Sequence, residues 1–213
     1  MRTEALAVLY ADNALLVLNK PAGLLSVPGR GEDKQDCLST RVQGLYADAL
    51  VVHRLDMATS GLMLMARGTS AQRTLSKAFA DRQVQKRYVA LVHGLLAQPM
   101  ASWGSIDLPI AVDWPNRPRR VIQLTGGKAS ITRWRVLAGA DSPYTRLELE
   151  PVTGRSHQLR VHMQAIGHSI VGDALYEGAS DLSADRLLLH ATEIGFVHPF
   201  SDQMMHFQSR PDF

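Results

Sequence analysis

The chain has 213 residues, of which 46% are hydrophobic and 20% are charged. This composition is sufficient for a packed core and excludes a disordered or low-complexity chain. Lysine and arginine number 23 and aspartate and glutamate number 20, so the formal charge of +3 favours an anionic partner only weakly. A chain of this length is expected to form one domain, residues 1–213.

Several classes of protein have no support in the sequence. The single cysteine, Cys37, cannot form an intramolecular disulfide, which predicts a reducing, cytoplasmic location. The chain has no CxxC pair and no HExxH sequence, so no metal site is predicted. Its longest uncharged stretch, Tyr88–Ile106, contains His, Gln, Pro and Trp and is not expected to cross a membrane.

The first third of the chain predicts strands that flank one polar loop. The apolar run Ala14–Asn19 predicts a strand that ends at the turn Lys20–Gly23, where a lysine is usually solvated. Short buried strands are expected at Leu50–Val52 and Leu62–Ala66. The loop between them contains Asp56, and a loop next to a strand end is a common location for chemistry.

Two helices are predicted before residue 83. Leu38–Leu45 is short and apolar in part, and it predicts a brief helix. Thr69–Arg82 predicts a longer helix because apolar side chains recur on one face. Thr69 or Ser70 is the expected N-cap of that helix.

The second half of the chain predicts mostly strands. Lys86–Gly94 alternates as a strand does, which places Arg87 and Tyr88 on opposite faces. Gln98–Gly127, rich in Pro, Gly, Trp and Arg, predicts extended loops. Further strands are predicted at Ile131–Leu137, Thr145–Glu150, Leu187–Ala191 and Ile194–Val197. Strands outnumber helices and do not alternate with them regularly, so the fold class is α+β.

One more helix is predicted between Ser156, its expected N-cap, and Gly167, just past its end. His157 and Arg160 are three residues apart on this helix. Both are expected on the face that points away from the core.

The segment His53–Gly61 has the sequence His-Arg-Leu-Asp-Met-Ala-Thr-Ser-Gly. It places one carboxylate, Asp56, and two possible cations, His53 and Arg54, in the loop between two predicted strands. From the residues alone, a salt-bridged turn is the favoured interpretation of this pattern.

Four segments occur together in the order and spacing of the RluA family of RNA pseudouridine synthases, which this chain resembles. They are Asn19–Gly23, His53–Gly61, Lys86–Ala90 and Gly154–His162. The family fold is a mixed, largely antiparallel central sheet with flanking helices and a basic catalytic cleft. The resemblance implies that uridine in folded RNA is converted to pseudouridine without a cofactor: the N1–C1′ bond is cleaved, and the detached uracil is rejoined through C5.

Segments Leu24–Arg30, Asp107–Ile110 and Asp113–Pro118 resemble family members that modify stem-loops of both 23S ribosomal RNA and tRNA. A family member that acts on tRNA alone is one alternative. A catalytically silent RNA-binding or escort protein is another. The first family segment begins at Asn19, which leaves no room for the N-terminal S4-type RNA-binding domain of many relatives, so the catalytic domain is expected to select the RNA itself. No membrane and no obligate protein partner is implied.

The resemblance also implies roles for single residues. Asp56 matches the catalytic aspartate and Arg160 the arginine that pairs with it, which would keep the carboxylate ionised. Tyr88 matches the aromatic residue that packs against the target uracil, and Lys20 a structural residue near the cleft. Arg54 matches the residue that enters the gap left when the nucleotide is flipped out.

Further candidate RNA contacts are His53, Arg155, His157, Arg87, Arg117 and Arg119. His53 and His157 are alternatively hydrogen-bonded scaffold. Arg117 and Arg119 lie with Trp114 and Arg120 in a Pro-punctuated segment, where interleaved aromatic and Arg side chains suit single-stranded RNA. The alternative for that segment is a solvated loop with a buried Trp114.

Overall fold

Short apolar runs separated by turn residues form most of the regular structure. A computed structural model describes residues 6–96, 102–137, 143–177 and 184–213. The described chain divides into two compact units. The first consists of Met1–Lys86 and His190–Asp212, and the second of Arg87–Leu189 and Phe213.

The first unit is a sheet covered by helices. Its strands in chain order are β1 Ala7–Ala11, β2 Leu15–Lys20, β3 Ala49–Val51, β4 Ser60–Arg67, β11 Leu189–Val197 and β12 Met204–Gln208. Its helices are α1 Leu38–Gln43 and α2 Gly68–Ala80. Strand β4 pairs with β2 and β3 in antiparallel orientation and with β11 in parallel orientation, and β1 and β12 extend the sheet on β2 and β11.

The core of this unit lies between the central strands and helix α2. Leu15, Val17, Leu62 and Leu64 are buried together with Phe196. Residues Leu62–Ala66 of β4 are all buried, so the apolar run predicts this strand well.

The second unit is an antiparallel sheet with one helix. Its elements are β5 Gln85–His93, β6 Gly104–Asp107, β7 Ile110–Val112, β8 Arg120–Ile122, β9 Ile131–Val136, β10 Tyr144–Pro151 and α3 Gln158–Ala165. The strand order is β5-β10-β9-β6. Strands β7 and β8 form a separate two-stranded hairpin, which packs on α3 through Ile110, Val161 and Tyr176.

The α+β class with a largely antiparallel sheet is confirmed. The predicted loop region Gln98–Gly127 is wrong in part, because it contains β6, β7 and β8. Its residues 98–101 lie outside the described residues. The two predicted final strands are one continuous strand, β11, and β12 follows it without having been predicted. Strands β6, β7, β8 and β12 have only three to five residues each, too few for alternation to be recognised in the sequence.

The predicted helix caps are also wrong. Helix α2 begins after Arg67 and has no side-chain cap, so Thr69 and Ser70 lie inside it. Helix α3 begins after His157 rather than Ser156. The predicted end of α3 is confirmed by Gly167, whose φ of +84° suits glycine.

Gly61 is required where β4 starts beside β11. Its φ is +110°, and a Cβ at this position would lie 2.3 Å from the Ala191 carbonyl oxygen. A side chain therefore meets both backbone strain and a clash with the neighbouring strand.

Gly61→Ala is expected to lower the free energy of unfolding by about 4 kcal/mol, from strain and overpacking together. Gly68→Ala is the matched control, because Gly68 has a φ of +74° but nothing lies within 4 Å of an added Cβ. It should cost only about 1–2 kcal/mol, the strain alone. Equilibrium denaturation measures both losses, and equal losses would contradict the close approach of β11.

Candidate active site

The turn after β2 is fastened by a buried lysine. Lys20 has no exposed surface, and its Nζ donates to two carbonyl oxygens of its own turn at 2.8 and 2.7 Å. It also donates to the Met57 carbonyl oxygen at 3.0 Å. The same oxygen accepts the Gly23 N–H at 2.9 Å. The turn is thereby joined to the loop that contains Asp56.

Burial lowers the pKa of Lys20 to about 8, and the negative charge of Asp56 opposes this lowering. Because a pKa of about 8 is above neutral pH, the side chain is mostly an ammonium there and has three protons to donate. Lys20 therefore has the structural role implied by the family resemblance, and not the solvated position that is usual for a turn lysine.

The residues of the loop alternate between outward and inward positions. Arg54 is exposed, Leu55 is buried and Asp56 is half-buried. Leu55 is held by Ser26, whose Oγ donates to the Leu55 carbonyl oxygen at 2.6 Å and accepts its N–H at 3.1 Å. Because both the N–H and the carbonyl oxygen of Leu55 are bonded, its neighbours Arg54 and Asp56 are held in place.

His53 lies inside the scaffold of this loop. Its Nε2 accepts the Leu64 N–H of β4 at 2.9 Å, and its ring stacks on Phe79 of α2 with centroids 4.3 Å apart. Burial and the positive charge of Lys86 lower the pKa of His53 to about 3, so the ring is neutral at pH 7. These contacts support the scaffold alternative, and an RNA contact by His53 stays a prediction.

The end of the loop is connected to the C-terminal segment. Ser60 Oγ lies 2.8 Å from His190 Nδ1, and His190 Nε2 lies 3.0 Å from Ser209 Oγ. His190 is buried, so its ring links the start of β4 to the segment after β12.

Strand β5 separates Tyr88 and Arg87 as predicted. Tyr88 pairs in register with Leu149 of β10 and shares its face of the sheet with Ala90 and Val92, which are both fully buried. Arg87 is on the opposite face, where it forms ion pairs with Glu148 and Glu150. Its role as an RNA contact stays a prediction.

The face that carries Arg87 is organised around Trp103. Three guanidinium carbons lie 4.7–4.9 Å from the Trp103 ring centroid, those of Arg87, Arg133 and Arg135. Arg133 also pairs with Glu150 at 3.3 Å, and Arg135 pairs with Glu148. Three arginines therefore share two carboxylates and one indole, which neutralises most of this local charge.

Arg160 is buried in a bidentate ion pair. Its Nε and one terminal nitrogen lie 2.7 and 2.6 Å from the two carboxylate oxygens of Asp173. The Arg160 side chain is 5% exposed and the Asp173 side chain 0%. The prediction that Arg160 points away from the core is wrong, because a buried carboxylate compensates its charge. Pairing of Arg160 with Asp56 stays a prediction.

Asp173 is a residue that sequence reasoning missed. Besides Arg160, it accepts the N–H groups of Leu175 and Tyr176 at 3.0 and 3.3 Å. A usable signal was present, since Asp173 is the only charged residue between His168 and Glu177. A single carboxylate within an apolar segment indicates a buried partner of opposite charge.

The remaining candidates lie in or near the β7–β8 hairpin and the start of α3. Arg117 stacks over Trp114 with its guanidinium carbon 4.5 Å from the ring centroid, and Trp114 is 67% exposed, so the alternative of a buried Trp114 is wrong. Arg155 is exposed, and its Nε donates to the Ala129 carbonyl oxygen at 3.3 Å. His157 has a φ of +57°, which is uncommon for a residue other than glycine.

Tyr176 connects several of these groups and was also missed. Its hydroxyl oxygen lies 2.8 Å from His157 Nδ1 and accepts the Arg120 N–H at 2.7 Å. The guanidinium carbons of Arg119 and Arg160 lie 5.6 and 5.1 Å from its ring centroid. The second unit thus brings Arg160, His157 and Arg119 around one tyrosine.

Within the described ranges, no group of three or more His, Cys, Asp or Glu side chains is arranged to hold a metal ion. Nor does any helix in those ranges have the length and hydrophobicity needed to span a bilayer. The groups that can take part in chemistry are a half-buried carboxylate on an anchored loop, an aromatic side chain on β5 and several guanidinium groups.

Comparison with known proteins gives matches over nearly the full length. Residues 14–165 match the model of the RNA pseudouridylate synthase family. The chain is 46% identical over 207 residues to the dual-specificity RNA pseudouridine synthase RluA of Yersinia pestis, covering 97% of this chain and 99% of that protein. Identity to the RluA of Escherichia coli strain K12 is also 46%, over 209 residues, with coverage of 98% and 94%.

This chain is a member of the RNA pseudouridylate synthase family. Among solved structures, human RNA pseudouridylate synthase domain containing 1 superposes with a TM-score of 0.80 at 28% identity, covering 99% of this chain and 85% of that one. The family membership and fold that the four sequence segments predict are therefore confirmed.

Acidification is expected to destabilise the protein through His53. Because its pKa of about 3 in the folded state is below the usual 6.5, the unfolded state binds the proton first as the pH falls. Stability is therefore lost from about pH 6.5 downward. Between pH 6.5 and 5 the wild type should lose about 2 kcal/mol more than His53→Gln, which keeps an acceptor for the Leu64 N–H.

Denaturant unfolding at the two pH values measures this difference. Met204→Gln, a change at an exposed residue that does not titrate, is the control and should behave as the wild type does. Equal acid sensitivity of wild type and His53→Gln would show that His53 does not have a lowered pKa in the folded state.

Asp173→Asn is expected to lower the free energy of unfolding by about 3–5 kcal/mol, because it removes the negative charge that the buried Arg160 guanidinium is bonded to. The matched control is Asp48→Asn, which breaks the exposed pair of Asp48 with Arg67 at 3.1 Å. That change should cost less than about 1 kcal/mol. Similar losses in the two variants would contradict the buried pair.

Proposed function

We propose that this chain converts uridine to pseudouridine in stem-loops of both 23S ribosomal RNA and tRNA. The observation that carries the proposal is the anchored loop of β3–β4, which presents the Asp56 carboxylate half-buried beside the exposed Arg54. The 46% identity to proteins named dual-specificity RNA pseudouridine synthases supports the choice of two RNA classes. Such substrates and a single, buried cysteine support a cytoplasmic location.

Asp56 is the proposed catalytic carboxylate. Cleavage of a glycosidic bond leaves an electron-poor C1′, which a carboxylate can attack or stabilise. The same group can instead remove a proton from the sugar, and both routes start from an ionised Asp56. Holding the loop through Leu55 and Met57 fixes the carboxylate before the substrate arrives, which removes part of the entropic barrier.

Access to the target nucleotide requires that it leave the base stack. Arg54 is the proposed residue that fills the vacated space, since a planar guanidinium can stack on bases and donate hydrogen bonds at once. The proposed role of Tyr88 is to pack against the flipped uracil and to take part in proton transfer at C5. Arg160 is proposed to act with Asp56.

The β7–β8 hairpin is the proposed RNA-contacting element outside the reacting centre. Trp114 is 67% exposed and is already stacked by Arg117, a combination that suits unpaired bases and phosphates. Arg119 is on the same hairpin, with its guanidinium carbon 5.6 Å from the Tyr176 ring centroid, and is proposed to contact RNA phosphate.

A site-mapped pseudouridine assay tests the proposal. Purified wild type, Asp56→Asn and a control variant, Asp33→Asn at an exposed aspartate, are each incubated with two unmodified RNAs. The RNAs are a 23S ribosomal stem-loop and a tRNA anticodon stem-loop. Wild type and Asp33→Asn should form pseudouridine in both. Asp56→Asn should form none, while its RNA affinity stays within about twofold of wild type because no phosphate contact is removed.

Each other outcome has a separate meaning. Product in the tRNA stem-loop alone would limit the substrate to tRNA. Tight binding of both RNAs without product would favour an RNA escort protein. Wild-type activity in Asp56→Asn would remove Asp56 from the reaction.

A further inference from the structure

Tyr176 is placed where three parts of the second unit meet. It follows the turn that begins at Asp173, and its side chain is 3% exposed. Val161 of α3 and Ile110 of β7 are buried in the same cluster as its ring. Tyr176 therefore touches both the helix that carries Arg160 and the hairpin that carries Arg117 and Arg119.

The Tyr176 hydroxyl joins two of these parts by hydrogen bonds. It accepts the N–H of Arg120, the first residue of β8, at 2.7 Å. It also bonds His157 Nδ1, at the start of α3, at 2.8 Å. A phenol can accept and donate at the same time, so one oxygen satisfies both contacts. His157 holds a left-handed backbone conformation at this point, which indicates that its surroundings constrain it.

The Tyr176 ring contacts two guanidinium groups. Arg160 lies with its guanidinium carbon 5.1 Å from the ring centroid, and that of Arg119 lies at 5.6 Å. The Arg160 guanidinium is thus bound at its edge by Asp173 and is also in cation–π range of the ring. Two independent contacts restrict both its position and its plane.

Asp173 fixes the tyrosine as well as the arginine. Its Oδ1 accepts the Tyr176 N–H at 3.3 Å while it accepts Arg160 at 2.6 Å. One buried carboxylate therefore sets the distance between the backbone of Tyr176 and the guanidinium of Arg160. A shift of Tyr176 is therefore expected to move the Arg160 guanidinium.

We propose that Tyr176 is a positioning residue for the isomerisation, which holds Arg160 and the β7–β8 hairpin in one fixed arrangement. The inference rests on the proposed function, because it assigns Arg160 to the reaction and the hairpin to RNA binding. Tyr176 itself does not take part in the chemical step. Its hydroxyl positions the hairpin, and its ring positions Arg160.

Two substitutions separate these contributions. Tyr176→Phe keeps the ring and removes the hydroxyl, so the hairpin loosens: KM for the stem-loop RNA should rise about tenfold with kcat within about twofold of wild type. Tyr176→Leu removes the ring as well, so Arg160 is less restricted and kcat should also fall about tenfold. Tyr10→Phe is the matched control, because it removes a hydroxyl that bonds Asp12 at 2.8 Å in the first unit.

The experiment combines steady-state kinetics, melting temperatures and nuclear magnetic resonance of the arginine Nε–H groups. The Arg160 Nε–H donates to Asp173, so its exchange with solvent should be slow in wild type and faster in Tyr176→Leu. A lower melting temperature with wild-type kcat, KM and exchange would reduce Tyr176 to a structural residue and overturn the inference. Wild-type values of all quantities in both variants would overturn it too.

Failure of the proposed function is distinguishable from failure of this inference. If the wild type forms no pseudouridine in either RNA, the proposed function fails. The Arg160 exchange rate then still decides whether Tyr176 fixes Arg160: faster exchange in Tyr176→Leu shows that it does, and unchanged exchange shows that it does not.

Discussion

A buried ammonium group holds the candidate catalytic loop in place. Removing a lysine side chain entirely from water is costly, and the cost is offset only when each proton has a partner. Lys20 meets this condition with three carbonyl oxygens, one of which belongs to Met57. Because Met57 follows Asp56 directly, the position of the candidate catalytic carboxylate depends on the hydrogen bond between Met57 and Lys20, which is 37 positions before Met57 in the chain.

Most residues of the segment His53–Gly61 serve to hold this loop. His53 accepts a hydrogen bond from β4, and the Leu55 backbone is bound by Ser26. Ser60 is joined to His190, and Gly61 allows β11 to approach. Arg54 and Asp56 are the members that combine charge with access to solvent. The sequence of these nine residues is therefore specific, because it contains both the groups that hold the loop and the two proposed functional groups.

Charged groups in the second unit divide into paired and available sets. Arg87, Arg133 and Arg135 share two glutamates and the Trp103 ring, and Arg160 is matched by Asp173. By contrast, Arg117 stacks on the exposed Trp114 ring and Arg119 lies over the Tyr176 ring, and neither ring contact neutralises the arginine charge. Total charge is thus a weak guide to RNA binding, since much of it is neutralised within the fold, and the arrangement of arginines identifies the hairpin as the better candidate.

The sequence by itself determined the family, the α+β class and the elements with long periodic patterns. Strands β5, β9 and β10 and helix α2 were predictable because apolar residues recur along each sequence at the period of its backbone, and strand β4 because it contains a continuous apolar run. Strands β6, β7 and β8 were not, because three or four residues carry no recognisable period.

Only the tertiary structure decided which charges are buried. The amphipathic pattern of α3 predicted that Arg160 faces solvent, but Arg160 is buried in an ion pair with Asp173. The sequence around Lys20 likewise did not indicate that the Met57 carbonyl oxygen would be the third acceptor of the lysine ammonium. A charged side chain is buried when a partner from a distant part of the chain compensates it, and local spacing holds no information about such a partner.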